Sequence, residues 1–185
     1  MDEILNYSMN EMAKASFDCS CGRHHTLDID KLVMGQGVIK ELPEMVKGLG
    51  AKKVYMLSDN NTYKAAGETA ETLLKDAGFQ VKSVVLDSGE DILIPDEQAV
   101  GTMFLNLEPE TDVLIAAGSG TLNDMVKYMS ARTKIPYIVV CTAPSMDGYA
   151  SDGAPLILGG KKISFIATLP YGILGDTDIM KQAPM

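Results

Sequence analysis

The stretch that decides the fold is Asp112-Val-Leu-Ile-Ala-Ala-Gly-Ser-Gly-Thr-Leu-Asn-Asp124. Residues 112–117 form a short apolar run of the kind found in buried strands, and a glycine-rich turn follows at once. After the turn, apolar residues recur at helical spacing over residues 121–133, at Leu122, Met125, Val126 and Met129. A buried strand that passes through a turn directly into a helix is the repeating unit of parallel α/β sheets.

The same alternation extends on both sides of this stretch. Further strands are predicted over residues 53–57, 81–86, 137–141 and 171–174, and further helices over residues 38–49, 61–77 and 96–107. The strands are apolar throughout, as expected where helices cover both faces of a sheet. The pair Gly159-Gly160 separates two runs of strand character and predicts a hairpin. The predicted fold class is α/β, a Rossmann-like, mostly parallel sheet with helices on both faces and a C-terminal β-hairpin.

Length, charge and cysteine content exclude several classes of protein. The 185 residues correspond to one domain, or to one domain and a fragment of a second. A net charge of −9 argues against nucleic acid as a partner, because phosphate-backbone binding depends on Lys and Arg. No apolar run approaches the ~20 residues of a membrane span, and the first residues lack the pattern of a signal peptide. With three cysteines and no such signal, we expect reduced thiols and a cytoplasmic location.

The glycine turn, residues 118–121 (Gly118-Ser119-Gly120-Thr121), is the strongest candidate for ligand binding. Glycines let a backbone approach a ligand closely, and a helix N-terminus presents free N–H groups and the positive end of its dipole. The turn therefore predicts a pyrophosphate site, with an ordinary strand-to-helix turn as the alternative. It departs from the dinucleotide-binding fingerprint, because Asn123 occupies the position of the third glycine.

Two other candidate features also follow predicted strands. Asp59 can either accept hydrogen bonds from ribose hydroxyls or cap the next helix. The 142–152 loop, Thr142-Ala-Pro-Ser-Met-Asp-Gly-Tyr-Ala-Ser-Asp152, collects hydroxyl groups, carboxylates and a glycine directly after the strand over residues 137–141. Because open α/β sheets bind ligands at the carboxyl ends of their strands, we interpret this loop as functional rather than as an ordinary surface loop.

Two clusters of metal-ligand residue types carry a weaker signal. The segment Cys19-x-Cys21-x2-His24-His25 lacks the second ligand pair of a usual zinc site, so no metal is assigned to it and its role stays open. The pair Asp176-x-Asp178 could bind a cation, but a capping or turn role is favoured. With no other histidine and no Gly-x-Ser-x-Gly motif, a serine-hydrolase triad is disfavoured.

The segments 118–124 and 141–151 resemble the sn-glycerol-1-phosphate dehydrogenases, which belong to the superfamily of iron-containing alcohol dehydrogenase, glycerol dehydrogenase and 3-dehydroquinate synthase. The segments Cys19-x-Cys21-Gly22-x-x-His25 and Ser58-Asp59-Asn-x-Thr62-Tyr63 resemble the bacterial branch. The resemblance extends from about residue 15 to the end of the chain, and Pro-Ser-Met-Asp-Gly is its most specific part.

The resemblance implies NAD or NADP as cofactor, with dihydroxyacetone phosphate and sn-glycerol 1-phosphate as the small-molecule substrates of a step in phospholipid biosynthesis. Asp59 would contact the adenosine ribose, and its carboxylate disfavours the 2′-phosphate of NADP. Asp147 would contact the glycerol phosphate, and the Asn123-Asp124 pair would help to hold the loop. The pyrophosphate would bind to Gly118, Ser119, Gly120, Thr121 and Leu122. The nicotinamide side would be lined by Thr142, Ala143, Pro144, Ser145 and Ser151.

Members of the family are considerably longer than this chain, and their metal ligands, an Asp and two His, lie in a helical second domain. The resemblance thus implies a nucleotide-binding domain over residues 1–178 and the start of a linker over residues 179–185, with the metal-binding domain missing from this chain. His24 and His25 do not match the ligand positions, so no metal ligand and no catalytic residue is assigned here. A divalent metal, usually zinc, would polarise the substrate carbonyl from that missing domain, and this chain alone is expected to be inactive.

Several alternatives stay open. Glycerol dehydrogenase and 3-dehydroquinate synthase belong to the same superfamily, but the Ser-Met-Asp-Gly segment disfavours them. A free-standing nucleotide-binding module would bind the cofactor without catalysis. A purely structural domain would explain neither the glycine turn nor the 142–152 loop. Whether the chain forms a homo-oligomer is left open.

Overall fold

A computed structural model describes residues 6–89 and 92–184 of the chain. The chain begins with helix α1 (Met9–Ala13) and an antiparallel hairpin of β1 (Ser16–Asp18) and β2 (His24–Thr26). The remaining elements, in chain order, are β3 (Lys31–Gly35), α2 (Leu42–Gly48), β4 (Lys53–Asp59), α3 (Asn60–Thr62), α4 (Glu68–Asp76), β5 (Gln80–Leu86), α5 (Glu97–Leu105), β6 (Val113–Gly118), α6 (Gly120–Thr133), β7 (Tyr137–Cys141), β8 (Gly153–Leu158), β9 (Lys161–Ile166), β10 (Gly172–Asp176) and α7 (Thr177–Met180).

A six-stranded parallel sheet forms the centre of the molecule, in the order β3-β10-β7-β6-β4-β5. Strand β4 lies between β5 and β6, so the connection through α5 must cross from one side of β4 to the other. The direction of winding therefore reverses between β4 and β6. Open α/β sheets bind ligands at this switch point, outside the carboxyl ends of the strands.

Alternating side chains of the central strands build two hydrophobic cores, one on each face of the sheet. In β6, Leu114 and Ala116 belong to the core that includes residues of α5 and α6, whereas Val113 and Ile115 belong to the core that includes residues of α2 and α4. Every residue of β6 is buried, and burial of a large aliphatic side chain contributes roughly 1.5–3 kcal/mol. This packing fixes the strand ends, and with them the edge at which the candidate residues lie.

The predicted α/β fold class is confirmed, including the parallel sheet, the helices on both faces and the hairpin, which consists of β8 and β9. Gly159 and Gly160 have φ values of +58° and +74°, the left-handed conformation that tight hairpin turns require. The predicted domain boundary after residue 178 falls inside α7 (Thr177–Met180).

Local structure differs from the prediction at β3 and in two of the helices. Strand β3 was not predicted, because its apolar run, Leu32-Val33-Met34, is only three residues long. The helix predicted over residues 61–77 contains a π-helical turn, Tyr63–Gly67, between α3 and α4. The helix predicted over residues 38–49 begins as the 3-10 turn Val38–Glu41 before it becomes α2.

Candidate functional site

Three of the candidate features lie on neighbouring strands at the carboxyl edge of the sheet. Strands β4 and β6 pair Leu57 with Ala116, two residues before Asp59 and Gly118 in their respective strands. Strands β6 and β7 pair Gly118 with Cys141, and the N–H of the next residue, Thr142, donates to the carbonyl of Gly118 at 3.3 Å. The fold thus brings Asp59, the glycine turn and the 142–152 loop together at the switch point.

The glycine turn leaves the first N–H groups of α6 without a side-chain cap. Ser119 is the N-cap residue, but its side chain makes no capping hydrogen bond. The N–H of Asn123 donates to the carbonyl of Ser119 at 3.0 Å and begins the helical pattern. The groups that precede it are donors that a helix cannot satisfy internally. Together with the helix dipole, they form a donor set suited to an anion.

Each glycine of the turn has a specific steric reason to be there. A Cβ at Gly118 would lie 2.9 Å from the Cβ of Leu122, so only glycine allows the first turn of α6 to pack this closely on β6. A Cβ at Gly120 would lie 3.2 Å from both Cγ and Sδ of Met146, which comes from the 142–152 loop. The turn and the loop therefore lie close together, and a side chain at residue 120 would press on Met146.

Asp59 is the N-cap of the helix that follows β4. Its Oδ1 accepts hydrogen bonds from the N–H groups of Asn61 at 2.9 Å and Thr62 at 2.7 Å. Thr62 Oγ1 accepts in return from the N–H of Asp59 at 3.0 Å, which completes a capping box. The capping interpretation is correct, and it is compatible with a ribose contact because both of these backbone bonds use the same carboxylate oxygen.

Lys127 is a functional candidate that sequence reasoning missed. Its side chain is fully buried on α6, and Nζ donates to the carbonyls of Gly148 and Gly153, both at 3.0 Å, and to Ser151 Oγ at 3.1 Å. Asp124 Oδ1 is a fourth oxygen near Nζ, at 3.3 Å, and forms an ion pair with it. Burial lowers the pKa of Lys127 and raises that of Asp124. Lys127 therefore ties the 142–152 loop to the helix that begins at the glycine turn.

One sequence signal could have revealed this anchor. Asn123, Lys127 and Ser130 follow one another at spacings of four and three, and all three are buried. A polar stripe with helical periodicity next to an apolar one indicates a second buried face. Asn123 also supports the loop, because its Nδ2 donates to the carbonyl of Gly148 at 3.4 Å.

The residues of the 142–152 loop take up different environments. Thr142 is buried and Ala143 is half-buried, whereas Pro144, Ser145 and Asp147 are exposed. The hydroxyl of Ser151 accepts from Lys127 and donates to the carbonyl of Gly148 at 3.0 Å. Tyr149 is buried, and its hydroxyl donates to the carbonyl of Ala143 at 3.1 Å, while burial raises its pKa beyond the usual range. Ser151 thus lies at the Lys127 anchor, and the exposed residues form the open side of the loop.

Asp176 is a capping residue, whereas Asp178 lies within α7 and forms an ion pair. Asp176 is buried, and its Oδ1 accepts from the N–H groups of Gly37 at 3.1 Å and Asp178 at 2.9 Å, while Oδ2 accepts from the N–H of Ile39 at 3.0 Å. Asp178 is paired with Lys181 at 2.6 Å, which holds the pKa of its carboxyl below the usual range. The two carboxylates therefore serve backbone N–H groups and a lysine.

A cavity of about 420 Å³ lies at the carboxyl end of β5. It is lined by residues of β5, α5 and the connection between them, among them Leu86, Ser88, Leu93 and Asp96. Ser88 joins it to the turn after β4, because its N–H and hydroxyl both donate to Asn60 Oδ1, at 2.9 and 2.6 Å.

The parallel sheet, its switch point and the uncapped glycine turn define the class of open α/β domains that bind ligands at the carboxyl ends of their strands. The chain belongs to the iron-containing alcohol dehydrogenase family, whose family model matches residues 33–184.

The chain is similar in sequence to several proteins named glycerol-1-phosphate dehydrogenase (NAD(P)+). It is 35% identical to the one from Halalkalibacterium halodurans over 182 residues, which are 97% of this chain and 46% of that protein. It is 36% identical to the one from Bacillus licheniformis, with coverage of 100% and 45%, and 32% identical to the one from Methanosarcina barkeri, with coverage of 83% and 42%. The chain spans less than half the length of these relatives.

Solved structures share the fold at lower sequence identity. Glycerol dehydrogenase from Schizosaccharomyces pombe matches 84% of this chain and 39% of that protein, with a TM-score of 0.72 and 24% identity. An iron-containing alcohol dehydrogenase from Thermococcus thioreducens gives the same TM-score at 18% identity, with coverage of 84% and 48%. Among the described residues, no helix has the length and apolar character that crossing a bilayer requires.

Proposed function

We propose that this chain is the NAD(P)-binding half of an sn-glycerol-1-phosphate dehydrogenase, which reduces dihydroxyacetone phosphate to sn-glycerol 1-phosphate. The observation that carries the proposal is the uncapped glycine turn at the switch point, in a chain whose relatives bear that enzyme name. The reduced nicotinamide would supply the hydride that is transferred to the substrate carbonyl carbon. The protein residues would bind and orient the cofactor and the substrate, and they would exclude water.

The backbone of residues Gly118 to Leu122 would hold the pyrophosphate. The chain carries a net charge of −9, so the anion is better held by oriented N–H groups than by a basic surface. A helix N-terminus contributes the equivalent of roughly half a positive charge. The absence of a side-chain cap on Ser119 fits this use, because it leaves the first N–H groups of α6 available to a phosphate group.

Asp59 and the 142–152 loop would bind the two ends of the cofactor. The carboxylate of Asp59 would accept hydrogen bonds from the adenosine ribose, while it continues to cap its helix. Thr142, Ala143, Pro144 and Ser145 would line the nicotinamide side. Ser151 would support that loop from the Lys127 anchor.

Asp147 would contact the hydroxyl groups of the substrate. A carboxylate accepts hydrogen bonds from alcohols but repels a phosphate. Because Asp147 is exposed at the beginning of the 3-10 turn Gly148–Ala150, it is accessible to the glycerol part of the substrate. Its place next to the nicotinamide-lining residues supports this role.

We propose that the ligands of the divalent metal lie outside the segment that this chain shares with its relatives. A metal bound beside the substrate carbonyl would act as a Lewis acid. We place its ligands in a helical domain that follows residues 179–185, since the relatives are more than twice as long as the segment they share with this chain.

NADH titration of the purified 185-residue chain, followed by nucleotide fluorescence, tests the cofactor half of the proposal. Gly120→Val would press on Met146 and disturb the turn that presents the N–H groups, and Gly101→Val is the matched control because a Cβ at Gly101 meets nothing within 4 Å. Since a hydrogen bond to a charged group is worth about 1.5–3 kcal/mol, Gly120→Val is expected to weaken binding roughly tenfold or more. Equal affinities of the two variants would contradict the assignment.

Turnover by a longer protein that contains this chain and a metal-binding domain tests the reaction. NADH oxidation with dihydroxyacetone phosphate but not with dihydroxyacetone is the expected result. A preference for the unphosphorylated substrate would favour a glycerol dehydrogenase. Cofactor binding with no turnover of either substrate would identify a binding module.

A further inference from the structure

The β1–β2 hairpin is a small, exposed element that carries an unusual set of side chains. Phe17 is half-buried, whereas both ends of β1 and all of β2 are exposed. An isolated two-stranded hairpin is at best marginally stable in water. The loop between the two strands contains Cys19 and Cys21, and β2 contains His24 and His25. These residue types can supply the stability that burial does not.

Three ligand atoms converge at this hairpin. The Sγ atoms of Cys19 and Cys21 and a ring nitrogen of His25 lie within 4.8 Å of one another. Cys21 Sγ lies 3.2 Å from His25 Nε2. Zinc bonds of about 2.3 Å to sulfur and about 2.0 Å to nitrogen place tetrahedral ligands roughly 3.5–3.8 Å apart. Small side-chain rotations therefore bring the three donors to coordinating distance.

The backbone of the loop produces this convergence. The N–H of Cys19 donates to the carbonyl of Arg23 at 2.9 Å, and the N–H of Gly22 donates to the carbonyl of Cys19 at 2.9 Å. Gly22 has a φ of +80°, which closes the turn in a conformation that favours glycine. The N–H of Cys21 points to Cys19 Sγ at 3.5 Å, and this bond lowers the pKa of the Cys19 thiol.

Strand register decides which histidine takes part. Phe17 pairs with His25, and the two rings stack with a centroid distance of 5.5 Å. His24 points to the opposite face, where Nδ1 lies 2.8 Å from Asp18 Oδ1 and Nε2 lies 3.0 Å from Ser16 Oγ. Both ring nitrogens of His24 are thus engaged, whereas the Nε2 of His25 faces the thiols.

We propose that Cys19, Cys21 and His25 bind one zinc ion that closes the β1–β2 hairpin, with water as the fourth ligand. Two thiolates and a neutral imidazole form a soft donor set that selects zinc over magnesium or calcium. The two thiolates also neutralise the charge of the ion. This site is independent of the dehydrogenase proposal, because all three ligands lie on the β1–β2 hairpin and none belongs to the glycine turn, Asp59 or the 142–152 loop.

Cobalt titration of the reduced 185-residue chain tests the site. Tetrahedral coordination by two thiolates predicts a thiolate-to-cobalt charge-transfer band and intense d–d bands that saturate at one ion per chain and disappear when zinc is added. Cys19→Ser, Cys21→Ser and His25→Ala are each expected to weaken cobalt binding at least about 10-fold, since even outer-shell substitutions cost about 10–100-fold. His24→Ala is the matched control and keeps the spectrum.

Amide hydrogen exchange provides a readout that does not depend on the variants. Zinc is expected to slow exchange in residues 16–26 and to leave α6 unchanged. Three results would overturn the proposal: no charge-transfer band, equal loss of binding in His24→Ala and His25→Ala, or exchange in the hairpin that zinc does not change. An unchanged far-UV circular dichroism spectrum of the ligand variants would show that they are folded, whichever way the metal result falls.

Discussion

The two strand-to-helix turns at the switch point differ in how the first N–H groups of each helix are satisfied. After β4, the carboxylate of Asp59 accepts from two of them and closes the helix end. After β6, the side chain of Ser119 makes no such bond, and the donors of α6 stay available. Both turns lie at the same edge of one sheet and end neighbouring strands.

This difference explains how adjacent turns can have separate roles. A helix end that carries its own carboxylate repels a second anion, but that carboxylate can accept hydrogen bonds from hydroxyl groups. A helix end without a cap attracts an anion through its dipole and its free donors. The turn after β4 therefore suits a ribose, and the turn after β6 suits a phosphate. Four predictions test this contrast.

The largest expected effect concerns Lys127, which ties the 142–152 loop to the helix that begins at the glycine turn. Lys127→Met would leave the half-buried Asp124 and two backbone carbonyls without the fully buried cation that they contact, and breaking a buried ionic contact costs about 3–5 kcal/mol. Urea unfolding measures the loss. Lys47→Met is the control, because Lys47 is exposed and its pairing with Glu44 at 3.4 Å contributes at most about 1 kcal/mol. Equal stability of the two variants would mean that Lys127 is not an anchor.

The second prediction concerns a variant in which the glycine turn after β6 gains a side-chain cap. Ser119→Asp would give α6 a carboxylate cap like that of Asp59, which stabilises a helix by about 0.5–2 kcal/mol. The same carboxylate would occupy the donors and repel the pyrophosphate, so NADH affinity is expected to fall roughly tenfold or more. Ser164→Asp adds the same charge on the exposed face of β9 and serves as control. A variant that is more stable and still binds NADH normally would refute the phosphate assignment.

The third prediction keeps the cap after β4 and removes its charge. Asp59→Asn retains an oxygen that accepts from the backbone, because Asn and Asp are comparable N-cap residues. Loss of the negative charge is expected to raise affinity for NADPH relative to NADH by several-fold, or about 1 kcal/mol, as measured by parallel titrations. Asp96→Asn changes the N-cap of α5 instead and should leave the ratio unchanged. A ratio that moves equally in both variants would exclude a specific role for Asp59.

The smallest effect is expected at the amino ends of the strands, opposite the candidate site. Asp112 Oδ2 accepts from the N–H groups of Lys53 and Lys52, both at 2.8 Å, and these bonds lower its pKa. Because the folded-state pKa lies below the unfolded value of about 4, the stabilisation is present above that pH and is lost as pH falls through the folded value. Asp112→Asn should reduce the acid-dependent loss of unfolding free energy by less than about 1 kcal/mol, given the exposure of the side chain. An unchanged pH profile would contradict this.

The sequence was sufficient to predict the central fold because its strands are apolar throughout and its helices keep a regular spacing. Strand β3 was found only in the structure, because three apolar residues in a row, Leu32 to Met34, are too short a signal to predict a strand. Lys127 was missed because lysine is normally exposed, and the groups that satisfy it come from residues 148–153. The convergence of Cys19, Cys21 and His25 depends on hairpin register, which residue spacing alone does not specify.

The hydrogen bonds around Lys127 determine what this residue is able to do. An ammonium group carries three N–H donors, and four oxygens surround this one, from Asp124, Gly148, Ser151 and Gly153. The donor capacity of the cation is therefore saturated by the protein itself. A lysine next to a proposed phosphate site would ordinarily be taken for the residue that neutralises the anion. Here it has no donor to spare, so its charge organises the polypeptide and contributes nothing directly to ligand capture.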